Sequence, residues 1–474
     1  MDKPNILYIM TDQQCRNMLS SYPGSQCKTP NLDKLIADAT RFDNAYTICP
    51  LCTPARASML SGVYPHAHGL MSNYSVWPRE DFPEGTKLIN SFLEPAGYDC
   101  IYVGKWHCGQ EKIPRDYGFT GMDKPGTAGY GGAAQTNEYR RYMTDNNLCE
   151  AQQHVLYETC WRYGENEVHA GYSTGDERSN QDYFLASYAI DHIQKYNSDD
   201  GPWFMFLSFW NPHAPFFPPK SYCDMYEPKD IKVSDSLLED LESKPYFHKF
   251  FRDRFCLSRW TKEEWQEIIS IYYAQMTFLD AQIGRIVDYL ESIGEYDNTA
   301  ILFTSDHGDY MGAHGGMYDK ERPLYEEIMR IPLFVKIPGS NSTGKCEKFV
   351  SNMDLAATCL ELAGEEIPEH FHARSLVKLI DDNNAEWDDD FFGQFNGHKY
   401  LASGRMLRWS HWKYCFNAGA GDELYDLDKD PHELNNLADN SDFSQILEEG
   451  RARLCKWMES TGDNLLQWSE MMLK

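Results

Sequence analysis

Cys49-Pro50-Leu51-Cys52-Thr53-Pro54-Ala55-Arg56 carries more potential chemistry than any other stretch of this chain. Two cysteines stand three apart, ahead of a short helical pattern that stops at Gly62. A C-x-x-C before a helix can be a thiol redox pair, because the helix N-terminus lowers a thiol pKa. The commoner fate of a cysteine is burial as a small inert hydrophobe. Neither reading accounts for the residues after Cys52. Thr53 suits an N-cap, Pro54 a first helical position and Gly62 a stop. Cys52 then sits at the mouth of a helix, where an anion is favoured, with Arg56 one turn inside. Four further places hold charged or imidazole side chains: Asp12-Gln13, Lys105-Trp106-His107, Asn211-Pro212-His213 and Ser305-Asp306-His307-Gly308. Taken singly, an Asp after a strand is more often a turn or cap than a ligand. His107 and His213, each alone, would also be read as structural.

They nevertheless share one position in the chain's pattern. Asn5 to Met10, Asp99 to Gly104, Trp203 to Trp210 and Ala300 to Thr304 are short runs, rich in β-branched or aromatic residues and apolar on both faces. Such runs suit the buried strands of a parallel sheet. Each ends in one of the four polar groups. In open α/β sheets ligands bind beyond the carboxyl ends of the strands, so four strand ends would converge on one crevice. Helical patterns lie between them, at Thr29 to Asp38, Asp182 to Tyr196 and Lys262 to Ser292. In the last, Trp265, Ile268, Ile269, Tyr272, Met276, Leu279 and Ile283 share a face. The alternation predicts a doubly wound α/β fold with a mostly parallel sheet between helices. The catalytic domain is expected over residues 1–380. Met122 to Ser173, rich in Gly, Tyr, Asn and Gln, reads as an insertion of loops. Asp381 to Asp390 reads as a solvated acidic connection. Residues 391–474 read as a smaller α+β subdomain with a short antiparallel sheet and a terminal helix from about Phe443 to Met458. There are no internal repeats.

The chain has 474 residues, 42% of them hydrophobic and 14% aromatic, enough for one large domain and a smaller one. Its net charge of -28 argues against nucleic acid and anionic membranes as partners. A local cluster of Lys, Arg and His can still receive a small anion. No window offers a transmembrane run. The N-terminal MDKPNILYIMTDQQ lacks the order of a secretory signal, so a cytoplasmic protein with mostly free thiols among its 14 cysteines is expected.

Cys52-Thr53-Pro54-Ala55-Arg56 resembles the C-x-P-x-R signature of type I sulfatases, in which the cysteine is oxidised to formylglycine. Only Cys52 has Pro two and Arg four residues on, so Cys49 is left structural. The resemblance continues in order through Pro4 to Gln14, Gly104-Lys105-Trp106-His107, Asn211-Pro212-His213-Ala214-Pro215, Ser305-Asp306-His307-Gly308-Asp309, Lys320 and Glu423 to Pro431. It implies an alkaline-phosphatase-like hydrolase of a small anionic sulfate ester, matured by a formylglycine-generating enzyme. Asp12, Gln13, Asp306, His307 and an oxygen of modified Cys52 would bind one divalent cation. Arg56 and Lys105 would hold the hydrated aldehyde and the sulfuryl oxygens, His107 would act as base, and His213 and Lys320 would face the leaving group. The chemistry is coherent: one hydroxyl of the hydrated aldehyde attacks sulfur and expels the alcohol. The second then loses its proton and sulfate leaves by elimination.

Two departures from the family pattern matter. Many sulfatases carry Asp where Gln13 stands and Asn where His307 stands. Hard oxygen ligands favour Ca²⁺, and an imidazole in the shell admits Mn²⁺ or Mg²⁺. A related phosphonate monoester hydrolase or phosphodiesterase shares these features. A non-enzymatic anion-binding or thiol-redox protein is a more distant reading, since it gives Asp12, Asp306, Lys105 and Lys320 no joint purpose. His66 and His68 could pass for a metal pair but read as packing residues or as supports behind the site. The alcohol half of the substrate and the oligomeric state carry no sequence signal.

Overall fold

The computed structural model describes residues 3–73, 81–109, 111–122, 136–160, 166–196, 201–253, 257–340, 342–398, 400 and 402–473. Eight strands form the main sheet: β1 (Asn5–Thr11), β2 (Thr40–Tyr46), β3 (Asp99–Gly104), β4 (Thr120–Gly121), β7 (Trp203–Ser208), β8 (Thr299–Ser305), β9 (Leu333–Lys336) and β10 (Gly344–Ser351). The hairpin of β5 (Gln152–Cys160) and β6 (Asn166–Thr174) stands apart from it. The order across the main sheet is β10-β2-β9-β8-β1-β7-β3-β4. The four strands expected from the sequence are thus the contiguous centre, β8-β1-β7-β3, and all three of their pairings are parallel. Their residues are buried on both faces apart from Asp99, as continuous apolar runs require. β9 runs antiparallel to both β8 and β2, so the sheet is mixed on that side.

Helices cover both faces. The helix Lys262–Ser292 is the longest, started by a capping box in which Thr261 and Glu264 bond each other's backbone N–H. Its expected apolar face, Trp265 to Ile283, is buried against Leu7, Ile9, Leu207 and Phe303 of the sheet. The opposite face packs Tyr8, Tyr102 and Phe206 against Leu60, Leu355 and Leu360. Burial of each such side chain contributes about 1.5–3 kcal/mol. Among the described residues no helix is long and apolar enough to cross a membrane, and the cysteines whose side chains are described are free.

The insertion differs from expectation. The span contains the helix Asn137–Asp145 and the β5–β6 hairpin, which packs its Tyr157 and Ala170 toward the long helix. Val155 and Leu156 are 47% and 48% exposed, so the hairpin lacks the clean apolar face that periodicity detects. Residues 123–135 and 161–165 of the insertion lie outside the described residues. The acidic connection is anchored by Trp387, whose Nε1 donates to Phe349 O at 2.9 Å under the Arg374 guanidinium. Beyond it, β11 (Asp390–Phe395), β12 (Gly404–Trp409), β13 (Trp412–Asn417) and β14 (Glu423–Asp426) form an antiparallel sheet. The helix Ser444–Thr461 packs Leu454, Trp457 and Met458 onto Leu407, Tyr414 and Leu424 of that sheet.

Candidate active site

β8, β1, β7 and β3 deliver their C-terminal residues to one edge, as parallel neighbours must. Asp12 and Gln13 follow β1, Lys105 to His107 follow β3, Asn211 to His213 come shortly after β7, and Asp306 and His307 follow β8. Gly104 makes one of these exits possible. Its φ is +96°, and a Cβ there would lie 1.9 Å from Ser208 O. The chain instead turns so that Lys105 N donates to Ser208 O at 2.9 Å. Gln13 and His107 take positive φ, 63° and 50°, a strain that a non-glycine residue bears when its surroundings fix it.

The helix carrying Cys52 runs Cys52–Ser61 and ends at Gly62 in the left-handed conformation, as the stop signal requires. Its start differs from the sequence reading. Leu51, not Thr53, holds the N-cap position, and Cys52 is the first helical residue. Pro54 fits at the third position because that N–H has no intrahelical acceptor anyway. The Thr53 hydroxyl donates to His107 O at 2.8 Å, and Thr53 N donates to Asn73 Oδ1 at 2.9 Å. Thr53 therefore ties the helix start to the loop after β3.

Every sequence-predicted site residue reaches this place. Cys52 Sγ lies 3.2 Å from His307 Nε2, 3.9 Å from Lys105 Nζ and 4.0 Å from Asp12 Oδ1. Asp12, Cys52, Asp306 and His307, all buried, each offer an atom within 4.8 Å of the others. Arg56 is fully buried and donates to Asp306 Oδ2 at 2.9 Å, Asp12 Oδ2 at 2.5 Å, Lys105 O at 2.9 Å and Ser208 Oγ at 2.8 Å. Lys105 Nζ donates to Asp12 Oδ2 at 2.6 Å. Lys320 Nζ donates to Gln13 Oε1 at 2.8 Å and lies 2.6 Å from His213 Nε2. His213 Nδ1 lies 2.6 Å from Ala214 O, so it carries the proton and Nε2 accepts from the ammonium.

The electrostatics separate the two cysteines. Burial opposes ionisation of Cys52, but Lys105, Lys320 and His307 outweigh it and hold the thiol well below its usual range. Burial pushes the Cys49 thiol up, and nothing nearby reverses it sufficiently. They also separate the two carboxylates. Burial and Cys52 work against ionisation of Asp12, yet Lys105 and Arg56 hold it below the usual carboxylate range. Asp306 is pushed up by burial and by Asp12, as the second of two adjacent carboxyls must be. His307 rises to about 9 despite burial because Asp306 and Cys52 face it. Burial lowers His107 to about 4. Two carboxyls, an imidazole and residue 52 at this separation are a donor set that fits a divalent cation.

Three contributors carry no role in the sequence reading. Asp309 accepts from Gln13 Nε2 and is pushed up to about 7 by burial. Ser208 closes the shell of Arg56. Asp182 lies beneath Asn211, accepting from its Nδ2 at 2.7 Å. Asp309 closes the quoted metal-loop motif, whereas Asp182 sits in an ordinary helical pattern with no local signal. His66 and His68 are packing residues: His68 bonds Ser58 Oγ and Leu70 N, and His66 faces Gln394 and Thr461 O.

The family model described as Sulfatase matches residues 4–365, and that described as N-sulphoglucosamine sulphohydrolase, C-terminal, matches residues 312–460. An uncharacterized sulfatase of Escherichia coli is 30% identical over 481 residues, covering 99% of this chain and 90% of that protein. Among solved structures, the phosphonate monoester hydrolase of Agrobacterium radiobacter superposes with a TM-score of 0.82 at 24% identity, covering 97% of this chain and 96% of that one. A structure in complex with its substrate D-glucosamine-2-N,6-O-disulfate superposes with a TM-score of 0.76 at 22% identity, covering 98% and 99%. At these identities the two superpositions speak for the fold. The match over residues 4–365, together with the relative at 30% identity, places the chain in the sulfatase family, the sulfuric ester hydrolases of the alkaline-phosphatase-like superfamily.

Proposed function

We propose that this chain hydrolyses the sulfate monoester of a sugar or another small alcohol, using a formylglycine formed from Cys52 by a maturase. The observation that carries the reading is the place of Cys52: first residue of a helix, buried, with His307, Lys105 and Asp12 within 4.0 Å of its sulfur. A divalent cation, Ca²⁺ first and Mn²⁺ or Mg²⁺ as alternatives, would be held by Asp12, Asp306, His307, residue 52 and the second lone pair of Gln13 Oε1. When bound, it would supply positive charge for the sulfuryl oxygens and acidify the attacking hydroxyl. The chain's own residues do the rest. Arg56 holds the two carboxyls in register. Lys105 reaches both residue 52 and the place of a sulfuryl oxygen. His107, kept neutral by burial against residue 52, can take a proton from it. Lys320 and His213 form a hydrogen-bonded pair on the leaving-group side, able to protonate the departing alcohol.

Peptide mass spectrometry of protein made with a maturase tests this, since formylglycine is lighter than cysteine by about 18 Da. Modification at residue 52 and not at 49 is expected. Intact Cys52 in fully active enzyme would overturn the reading. Matched aryl sulfate and aryl phosphonate esters then compare the sulfatase reading with the phosphonate one, and higher kcat/KM on the sulfate is expected. A cytoplasmic setting is part of the proposal, tested by fractionating cells that express the full protein.

A further inference from the structure

A cavity of about 490 Å³ opens beside Lys105 and His213, on the leaving-group side of the site. Among its described lining residues, Lys105 and His213 are the only basic side chains. Both are engaged, Lys105 with Asp12 at 2.6 Å and His213 with Lys320 at 2.6 Å. Glu150 adds an exposed carboxylate with no ion-pair partner among the described residues. Trp210, whose indole N–H is buried with no partner among the described residues, lines the same wall.

Asn211 and Gln275 complete it. Each turns its amide nitrogen to one atom, Asp182 Oδ2, at 2.7 and 3.4 Å. Asp182 is fully buried and outside the lining. An amide whose nitrogen is taken on one side offers its carbonyl oxygen on the other. Among the described residues neither Asn211 Oδ1 nor Gln275 Oε1 has a hydrogen-bond donor, and both residues line the cavity. The wall thus offers acceptors to a ligand's hydroxyls. Among its described residues it offers no unengaged cation to a second anion.

We propose that the alcohol half of the substrate is an uncharged, hydroxyl-rich group, a singly sulfated neutral sugar, whose hydroxyls donate to Asn211 and Gln275. Asp182 is the positioning residue that turns those two amides, and a second sulfate or a carboxylate on the same sugar is rejected. The inference rests on the sulfatase reading above and deepens it. An added anion would face two carbonyl oxygens and Glu150, and would leave the acceptors without donors, the arrangement that discriminates most strongly between analogues. The net charge of -28 further opposes a polyanionic chain.

The test uses enzyme made with its maturase and four substrates: nitrophenyl sulfate, a neutral hexose monosulfate, the same hexose disulfated, and a quaternary-ammonium alkyl sulfate. The monosulfated hexose should exceed the disulfated one by about tenfold or more in kcat/KM. Gln275→Leu should lower kcat/KM on the monosulfated hexose by about tenfold and change nitrophenyl sulfate by less than about threefold. Asp182→Asn supplies an NH₂ in place of an acceptor and lets the amides turn, so it should narrow the mono-to-disulfate ratio. That ratio is measured within one preparation and is insensitive to partial misfolding. Equal rates on the two hexoses, a preference for the ammonium ester, or equal losses on sugar and aryl ester in Gln275→Leu would each overturn the inference alone. Failure to hydrolyse any sulfate ester, nitrophenyl sulfate included, would overturn the sulfatase reading and this inference with it.

Discussion

Arg56→Lys is the substitution whose cost the geometry fixes best. The guanidinium spans two carboxyls, Asp12 at 2.5 Å and Asp306 at 2.9 Å, from a fully buried position, and gives two more bonds to Lys105 O and Ser208 Oγ. A lysine ammonium is a point donor on a flexible stem and cannot reproduce a planar fork. It can satisfy one carboxyl, not both. Breaking a buried pair costs about 3–5 kcal/mol, and each lost neutral hydrogen bond about 1 kcal/mol. Retaining one carboxyl contact puts the expected loss near about 4 kcal/mol in chelator. A divalent cation between the carboxyls would pair with the carboxyl that lysine leaves unsatisfied, so it should bind the variant more tightly than the parent, and each tenfold difference in Kd at saturation narrows the deficit by about 1.4 kcal/mol. The deficit of the variant should therefore shrink when Ca²⁺ is added. Urea unfolding of parent and variant, each in chelator and in Ca²⁺, measures both quantities. A loss below about 1 kcal/mol in chelator would show that Arg56 does not hold the carboxyls. Equal deficits with and without the cation would separate Arg56 from the proposed metal site.

Asp306→Ala should abolish binding of a divalent cation and activity while the circular dichroism spectrum is kept; metal analysis with retained metal would refute the assignment. Cys49→Ser should keep most sulfatase activity and Cys52→Ala should remove nearly all of it, read from initial rates. Lys320→Ala should reduce kcat most for alkyl sulfates and least for activated aryl sulfates, because a good leaving group needs little protonation; a uniform loss would take Lys320 out of that role. Burial lowers His68 from 6.5 to about 3, and its Nδ1 accepts from Leu70 N at 3.0 Å, a bond that protonation there would break. The unfolded chain therefore binds this proton first, so the contribution is full above 6.5 and is lost as pH falls toward about 3. Over the descent to about pH 4 it amounts to up to about 3 kcal/mol, and His68→Gln should flatten the unfolding free energy against pH by that amount; an unchanged slope would refute the reasoning.

How much of this was legible in the sequence depends on the range of the interaction that decides each feature. The four central strands were legible because burial on both faces leaves continuous apolar runs, and their polar ends marked the edge where the site lies. The β5–β6 hairpin was not, since Val155 and Leu156 stand half exposed and its strands lack alternation. The start of the Cys52 helix was misplaced for the same physical reason. Thr53 has the chemistry of a cap, but its hydroxyl donates to His107 O across 54 residues, and that partner is invisible to a local rule. The pairing of Lys320 with Gln13 spans 307 residues, and that of Asp182 with Asn211 spans 29. Distant partners change the meaning of Gln13 as well. As a departure from the family pattern it reads as one carboxylate fewer at the metal. In three dimensions its carbonyl oxygen accepts from Lys320 while its nitrogen donates to Asp309. An acid at that position could accept from Lys320 but would face Asp309 with like charge. The glutamine thus links the loop after β1 to Lys320 without charge, and Lys320 keeps an uncharged partner in Gln13 beside the acid Asp319 at 3.4 Å. The departure is therefore set by its neighbours at Lys320 and Asp309 as much as by any ion.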